Sequence, residues 1–199
     1  MSRTRQPERK EKFLSAALKL FAANGVQQTS TAEIAKEAGA AVGTLFLYFP
    51  TKQDLIHALV IKISKEQAES IHARIEPSLS VRETFFAIWN GSLCWFLEHI
   101  EAFLYIQQIR DSGILAEAVV QESGKFFDYY YDAIQKGLAE GLIKPYPAEL
   151  IGGILYQNIV AVMNLIRVQP DPNIQAQYIQ QGFEIFWNGI KQAEENDEI

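Results

Sequence analysis

The residues best suited to bind another molecule lie between Thr31 and Lys52, in the stretch TAEIAKEAGAAVGTLFLYFPTK. Positions 34, 35 and 38 place apolar side chains on one face of a short helix, and Gly39 suits the positive φ that commonly follows a helix end. A second apolar set at 42, 45, 46 and 49 has the same helical spacing, and Pro50 stops it. Two short helices joined by a tight glycine turn form a helix-turn-helix, which places its second helix in a DNA groove.

The side chains of the second helix indicate how such a groove would be contacted. Gly43 costs roughly 1 kcal/mol relative to Ala inside a helix, so its presence indicates a close approach of the backbone to DNA. Few side chains there can donate to base edges, which leaves backbone contacts, thymine methyl groups and DNA shape as sources of specificity. The residues expected to contact DNA are Arg3, Arg5, Thr31, Ala41, Val42, Gly43, Thr44, Phe46, Leu47, Tyr48 and Lys52.

The charge distribution agrees with this expectation, although the whole chain carries a net charge of −6. Residues 1–65 hold 10 Lys and Arg against 5 Asp and Glu, whereas residues 66–199 hold 8 against 19. The positive charge therefore accompanies the helix-turn-helix, as phosphate binding requires. The basic segment from Met1 to Lys12 fits either an arm that contacts DNA or a solvated terminus.

Composition excludes several other classes of protein. The polar N-terminus does not resemble a signal peptide, and charged, polar or proline residues interrupt the longest apolar region, Leu142 to Ile166. We therefore expect a cytoplasmic protein that does not enter a membrane. The three histidines are far apart, and nucleophile, P-loop and Cys/His metal motifs are lacking. We expect no enzymatic activity, no cofactor and no metal.

Residues 13–55 resemble the DNA-binding domain of the TetR (tetracycline-repressor-like) family of transcriptional regulators. The shared features are an amphipathic first helix ending at Phe21 and Gly25, a threonine that caps the second helix, and a series of residues in the family's order and spacing. That series is Gly39, Gly43, Thr44, Leu45, Tyr48, Phe49, Lys52 and Leu55. Ala41 and Phe46 depart from the pattern, because the family more often has Ser and Tyr there. The resemblance implies a ligand-responsive regulator, most often a repressor.

The remaining periodicity predicts an all-α fold: an N-terminal three-helix domain with the helix-turn-helix, and a larger C-terminal helical bundle. We place the DNA-binding domain at 1–50 and the ligand-binding and dimerisation domain at 51–199, with a connecting helix over 51–75. Further helices are predicted at 81–98, 101–110, 116–140, 147–167 and 173–192.

The second domain is rich in aromatic residues, which either fill an ordinary core or line a pocket for a small apolar or aromatic effector. Resemblance to the family favours the pocket, and a protein partner in place of the effector is the alternative. The candidate ligand-binding residues are Trp89, Trp95, Phe96, Phe103, Gln107, Arg110, Phe127, Tyr130, Tyr131, Tyr156 and Asn158.

The last two predicted helices are apolar on more than one face, which indicates burial from several directions. A second subunit would bury one of these faces, and the resemblance implies a homodimer formed by these helices. The candidate interface residues are Ile151, Leu155, Ile159, Met163, Phe183, Phe186, Trp187 and Ile190. A two-fold dimer predicts an inverted-repeat operator in double-stranded DNA.

Overall fold

The structure is a computed structural model that describes residues 5–193, apart from the side chains at positions 5, 6 and 111. These residues form ten α-helices and one 3-10 turn, and their only β-structure is an isolated bridge between Ile143 and Lys191. The all-α prediction is confirmed. The helices are α1 (Arg5–Asn24), α2 (Thr31–Glu37), α3 (Val42–Tyr48), α4 (Lys52–His72), α5 (Val81–Glu98), α6 (Ile100–Asp111), α7 (Glu117–Gly124), α8 (Asp128–Ala139), α9 (Ala148–Ile166) and α10 (Pro172–Ile190).

One predicted helix differs from the structure, and the difference has a local cause. The helix predicted over 116–140 is broken, because α7 ends at Gly124 and the 3-10 turn Lys125–Phe127 precedes α8. Ser and Gly are weak helix formers, and they stand together at the end of α7. The basic N-terminal segment is helical from Arg5 onwards, and whether it contacts DNA or is only solvated stays a prediction.

The chain divides into two compact units. Unit 1 comprises Met1–Glu66 and His99–Phe126, and unit 2 comprises Gln67–Glu98 and Phe127–Ile199. Unit 1 therefore holds α1 to α3, most of α4, α6 and α7, whereas unit 2 holds the end of α4, α5 and α8 to α10. The predicted functional boundary at residue 50 concerns activity rather than packing, and it stays a prediction.

The core of unit 1 is built where α1, α2 and α3 meet. Phe13, Phe21, Ile34 and Leu45 are fully buried there, together with Ala35. The small Ala35 side chain lies on α2, and α2 packs against both α1 and α3. The core thereby sets the position of α3 within unit 1.

The core of unit 2 is aromatic and tightly packed. Trp89 of α5 is fully buried, and its indole Nε1–H donates to the carbonyl of Ile179 on α10 at 3.0 Å. Phe183 of α10 lies against both Trp89 and Phe86, with ring centroids 6.4 and 5.0 Å away. These contacts fix α5 against α10.

Candidate functional site

Helix α2 is fixed by local chemistry at both of its ends. The Ser30 hydroxyl accepts from the amide of Glu33 at 3.2 Å, and the Glu33 carboxylate accepts from the Ser30 amide at 2.7 Å. This capping box lowers the pKa of Glu33. The cap is therefore Ser30 rather than a threonine. Gly39 has φ +66°, as its position after α2 predicted.

The inner face of α3 belongs to the core of unit 1. Leu45 is fully buried and Phe49, one turn later, is almost so, whereas Val42 is half-buried. Because inward side chains at i and i+4 hold the helix by one side, the opposite side of α3 is left facing outwards.

That outward side carries an apolar surface, which we call the reading face and define as Gly43, Phe46 and Leu47. Positions 43 and 47 are one turn apart, and 46 lies beside them on the same side. Leu47 is 83% exposed and Phe46 is 41% exposed, values that are unusual for large apolar side chains of a folded domain. Ala41, just before α3, is also exposed.

The hydroxyl-bearing candidates lie on α2 and α3. Thr31, Thr44 and Tyr48 are half-buried, and the Tyr48 ring packs on Phe13 of α1 with centroids 5.7 Å apart. Their partial exposure is compatible with contacts to phosphate or sugar, the interactions that set register on DNA. Their roles stay predictions.

Lys52 has a structural contact that its sequence position did not reveal. Its ammonium group donates to the carbonyl of Val26 at 2.6 Å and lies 5.9 Å from the centre of the Phe21 ring. Partial burial lowers the pKa of Lys52. Lys52 thus ties the start of α4 to the loop between α1 and α2. An ammonium has three donors, so a phosphate contact also stays a prediction.

The basic residues of α1 differ in their exposure and in their partners. Arg9 and Lys12 are exposed on α1, and the Lys10 ammonium lies 5.8 Å from the centre of the Phe49 ring. Lys19 instead pairs with Glu37 at 2.5 Å. Arg3 lies outside the described residues, and Arg5 starts α1. The exposed cations of α1 are therefore better placed for non-specific phosphate contact than Lys19.

Nothing inside the described protein explains why residue 43 is glycine. Its φ is not positive, and apart from its chain neighbours and the backbone of its own helix no heavy atom of the described residues lies within 4 Å of where a Cβ would stand. Gly43→Ala should therefore raise the free energy of unfolding by about 0.5–1 kcal/mol through helix propensity. On DNA, the added methyl should weaken binding about tenfold, since overpacking typically costs about 1–3 kcal/mol.

Thermal unfolding and mobility shift on the same samples check the Gly43→Ala prediction. Ala38→Gly, a substitution at the end of α2, serves as a folding control because it should lower stability. An alanine variant with higher stability and unchanged DNA affinity would contradict close backbone approach at this position.

Three polar side chains tie α6 and the loop after it to α1, to the α1–α2 loop and to α4 within unit 1. The Gln108 amide accepts from the backbone N–H of Val26 at 3.1 Å and donates to the carbonyl of Phe21 at 3.2 Å. The Tyr105 hydroxyl donates to the Ile56 carbonyl at 2.8 Å, and Gln53 donates to the Ile114 carbonyl at 2.8 Å. The sequence did not predict these contacts, because a side chain bonded to a distant backbone leaves no periodic signal.

The predicted ligand-binding residues are divided between the two units. Phe103, Gln107 and Arg110 lie in unit 1, and Arg110 is exposed on α6. The other eight lie in unit 2, where Trp89, Trp95, Phe96 and Tyr130 are buried, Phe127, Tyr156 and Asn158 are half-buried, and Tyr131 is exposed. Asn158 lines a surface groove on α9 rather than the aromatic core.

One buried polar group in unit 2 is unsatisfied. The Tyr129 hydroxyl finds no hydrogen-bond partner among the described residues, and its ring stacks on His72, the last residue of α4, with centroids 5.4 Å apart. Burial raises the pKa of Tyr129, so the hydroxyl stays protonated and remains a donor. Its neighbour Tyr130 donates to the Ala148 carbonyl at 3.3 Å. Sequence reasoning chose Tyr130 and Tyr131 but not Tyr129.

The residues predicted to form a dimer interface are buried within the subunit itself. All eight, from Ile151 to Ile190, are at most 8% exposed, because they face the aromatic core of unit 2. They leave little surface for a partner, and their part in a dimer interface stays a prediction. The sequence pattern showed which positions are apolar, but it could not distinguish a chain's own core from a partner.

A different apolar surface of the same two helices faces outwards. Its exposed side chains recur along one side of α9 and continue onto α10. We call it the α9/α10 surface and define it as Leu150, Ile154, Leu165, Val168 and Ile185. A groove of about 380 Å³, lined among others by Leu150, Ile154 and Ile185, runs along it.

Helix α9 is also long and apolar enough to cross a membrane by length and composition. The expectation that this region offers no such candidate was wrong, because Lys144, Pro145 and Pro147 precede the helix instead of interrupting it. A core helix of a soluble protein has the same length and composition, so one such helix is weak evidence for a membrane span. Among the described residues, no group of three or more His, Cys, Asp or Glu side chains could hold a metal ion.

A helix-turn-helix that is fixed by its own core and presents an outward second helix defines a DNA-binding protein of the helix-turn-helix class. Comparison with known proteins specifies the family. "Bacterial regulatory proteins, tetR family" matches residues 13–59, and "Tetracyclin repressor-like, C-terminal domain" matches residues 60–192. The chain therefore belongs to the TetR family and is a DNA-binding transcriptional regulator.

Individual relatives agree with this assignment. The "Fatty acid metabolism regulator protein" of Bacillus subtilis is 34% identical over 134 residues, which cover 66% of this chain and 69% of the relative. A tetR-family transcription regulator from Shewanella sp. PV-4 superposes with a TM-score of 0.87 at 28% identity, covering 93% and 99% of the two chains. The transcriptional regulator FadR from Bacillus subtilis, in complex with stearoyl-CoA, shares the fold with a TM-score of 0.73 at 19% identity, covering 90% and 98%.

Proposed function

We propose that this regulator is a homodimeric repressor that binds an inverted-repeat operator through α3 and is released by a small apolar or aromatic effector bound in unit 2. The observation that carries the DNA-binding part is the reading face of Gly43, Phe46 and Leu47 on a helix whose other side is core. A helix held in this way meets DNA as a rigid body.

The α9/α10 surface supports the dimer. Leu150, Ile154 and Leu165 are each about half exposed on one helix, and Ile185 adds a large apolar side chain on the next. A contiguous apolar patch of this kind marks an interaction site more often than a solvent-facing surface. A second copy of the chain is the occupant, since a two-fold axis pairs such a surface with itself.

Dimer geometry dictates the form of the operator. Two α3 helices related by a two-fold axis read half-sites whose centres lie about 34–36 Å apart, or a multiple of that spacing. A mobility-shift selection from random duplexes tests the proposed function directly. Recovery of an inverted repeat with that spacing is expected, and recovery of no preferred sequence would refute the proposal.

The aromatic core of unit 2 supports the effector part. The Tyr129 hydroxyl is a buried donor without a described partner, which costs about 1–3 kcal/mol unless a bound molecule supplies an acceptor. The names of two similar proteins, a fatty acid metabolism regulator and a regulator crystallised with stearoyl-CoA, favour a fatty acyl chain with an oxygen acceptor. The effector would then combine apolar bulk with one acceptor for Tyr129.

Release follows as a shift between conformations of the regulator. The Tyr129 ring stacks on His72 at the end of α4, and α4 begins at Lys52, which contacts the loop before α2. An effector that binds one position of α4 more tightly would bias the dimer towards a separation of its α3 helices that no longer fits the operator. An accessory protein acting on the same element is the alternative.

The hydroxyls of Tyr129 and Tyr130 provide a matched pair of substitutions. Tyr129→Phe should raise the free energy of unfolding by about 1 kcal/mol, since it removes an unsatisfied buried donor. Tyr130→Phe should lower that free energy by about 0.5–1.5 kcal/mol, since it removes the bond to the Ala148 carbonyl. Denaturant unfolding of both variants measures the two changes.

The effector response separates a ligand contact from a purely structural role of Tyr129. Long-chain fatty acids and their acyl-CoA esters should release the wild-type protein from operator, and Tyr129→Phe should need about tenfold more of the active compound. All three tryptophans lie in unit 2, so the same compounds should change tryptophan fluorescence. Unaltered release and fluorescence across these compounds would favour the protein-partner alternative.

A further inference from the structure

We propose that Leu47 reads the 5-methyl group of a thymine in each half-site, so that one base is recognised by apolar contact rather than by hydrogen bonding. This inference rests on the proposed operator binding and adds the chemistry of recognition at one position. It concerns the most exposed large apolar side chain of the described residues.

The exposure of Leu47 calls for a partner. At 83% exposed, its side chain makes little contact with the rest of unit 1 and adds little to the core. Burying a leucine removes apolar surface from water and is favourable by about 1.5–3 kcal/mol when complete. A side chain that the fold itself does not use, placed on the outward side of α3, gains this energy only from the molecule that α3 meets.

The position of Gly43 identifies that molecule as DNA in close contact. Gly43 precedes Leu47 by one helical turn on the same side of α3, and apart from its chain neighbours and its own helix backbone no described atom lies within 4 Å of where its Cβ would stand. The backbone at 43 and the side chain at 47 therefore approach the same surface. The major groove of DNA admits an α-helix and exposes the edges of the bases to it.

Leucine can gain from only one feature of that groove. It has no donor or acceptor, so against guanine, cytosine or adenine it would leave polar base edges without water or partner. The thymine methyl is the apolar group among the base edges of the major groove. The sequence VGTLFLY of α3 contains no charged or amide side chain that could read a base beside it instead.

Deoxyuridine provides the test, because it differs from thymidine only by the methyl group. Each thymine of the selected operator is replaced singly by deoxyuridine, and affinity is measured by mobility shift at one salt concentration. The methyl contact is worth about one buried methylene. Replacing the contacted thymine in one half-site should therefore weaken binding about fourfold, and replacing it in both half-sites about fifteenfold. Replacement at the other thymines is the internal control.

Leu47→Ala then assigns the contact. The variant should unfold at the same temperature as the wild type, because the side chain is exposed, and it should bind thymine and deoxyuridine operators equally well. Val120→Ala, at an exposed apolar position on α7, should keep the full deoxyuridine effect.

The outcomes distinguish this inference from the function on which it rests. Sequence-selective binding without any deoxyuridine effect overturns methyl reading and leaves the regulator intact. A deoxyuridine effect that persists in Leu47→Ala also overturns the inference, because another residue then reads the methyl. Failure to select any operator would instead refute the proposed function.

Discussion

Ile154→Asp should convert the protein from a dimer to a monomer that binds its operator at least about 100-fold more weakly. Ile154 is 45% exposed near the middle of the apolar side of α9, and it lines the groove shared with α10. In a two-fold interface each substitution appears twice, so two carboxylates would be buried without a partner. Such a penalty amounts to several kcal/mol, and every 1.4 kcal/mol is a factor of ten in the dimer constant.

The loss of DNA affinity follows from the loss of the second reading helix. A dimer that has bound one half-site finds the other at a high effective concentration, which multiplies affinity by about 10²–10⁴. A monomer retains only the contacts of one α3 helix. Sedimentation velocity should therefore report one subunit under conditions in which mobility shift shows weak binding of a single half-site.

Val120→Asp is the matched control for the dimer prediction. Val120 is 43% exposed on α7 in unit 1, so the same kind of charge is introduced at almost the same exposure on a helix of the other unit. This variant should remain dimeric. A dimeric Ile154→Asp would place the interface elsewhere and would contradict the occupant proposed for the α9/α10 surface.

The helix-turn-helix was predictable because its determinants are local. The φ of Gly39 and the stop at Pro50 depend on residues within one or two turns, and each is found as expected. The cap of α2 was placed one residue from its true position, because Ser30 and Thr31 both suit an N-cap and only the geometry shows which hydroxyl reaches the Glu33 amide.

Contacts between distant segments were beyond reach of the sequence. Helical periodicity in α9 identified Ile151, Leu155 and Ile159 as apolar, yet it could not show that they face the subunit's own core while Ile154 faces outwards. A helix that is apolar on all sides has two faces that could be buried in the subunit. Which of them is buried depends on where α5 and α8 pack. The bonds from Gln108 to the α1–α2 loop were invisible for the same reason.

Gly182→Ala should lower the free energy of unfolding by about 2 kcal/mol, although alanine favours helix. A Cβ at this position of α10 would stand 2.6 Å from Cγ2 of Val162 and 2.8 Å from Cζ2 of Trp89. Trp89 is fully buried and held by its bond to the Ile179 carbonyl, so it has little freedom to withdraw. Overpacking of this kind typically costs about 1–3 kcal/mol, which exceeds the gain in helix propensity of up to about 1 kcal/mol.

Two further variants show whether the clash is the cause. Gly43→Ala makes the same change in a helix at a position with open space, and it should stabilise the protein. Adding Val162→Ala to Gly182→Ala removes one of the two clashing atoms, so the double variant should lose less stability than the sum of the single changes. Strict additivity in denaturant unfolding would contradict the clash, and a Gly182→Ala variant as stable as the wild type would show that α10 can move away from α5 and α9.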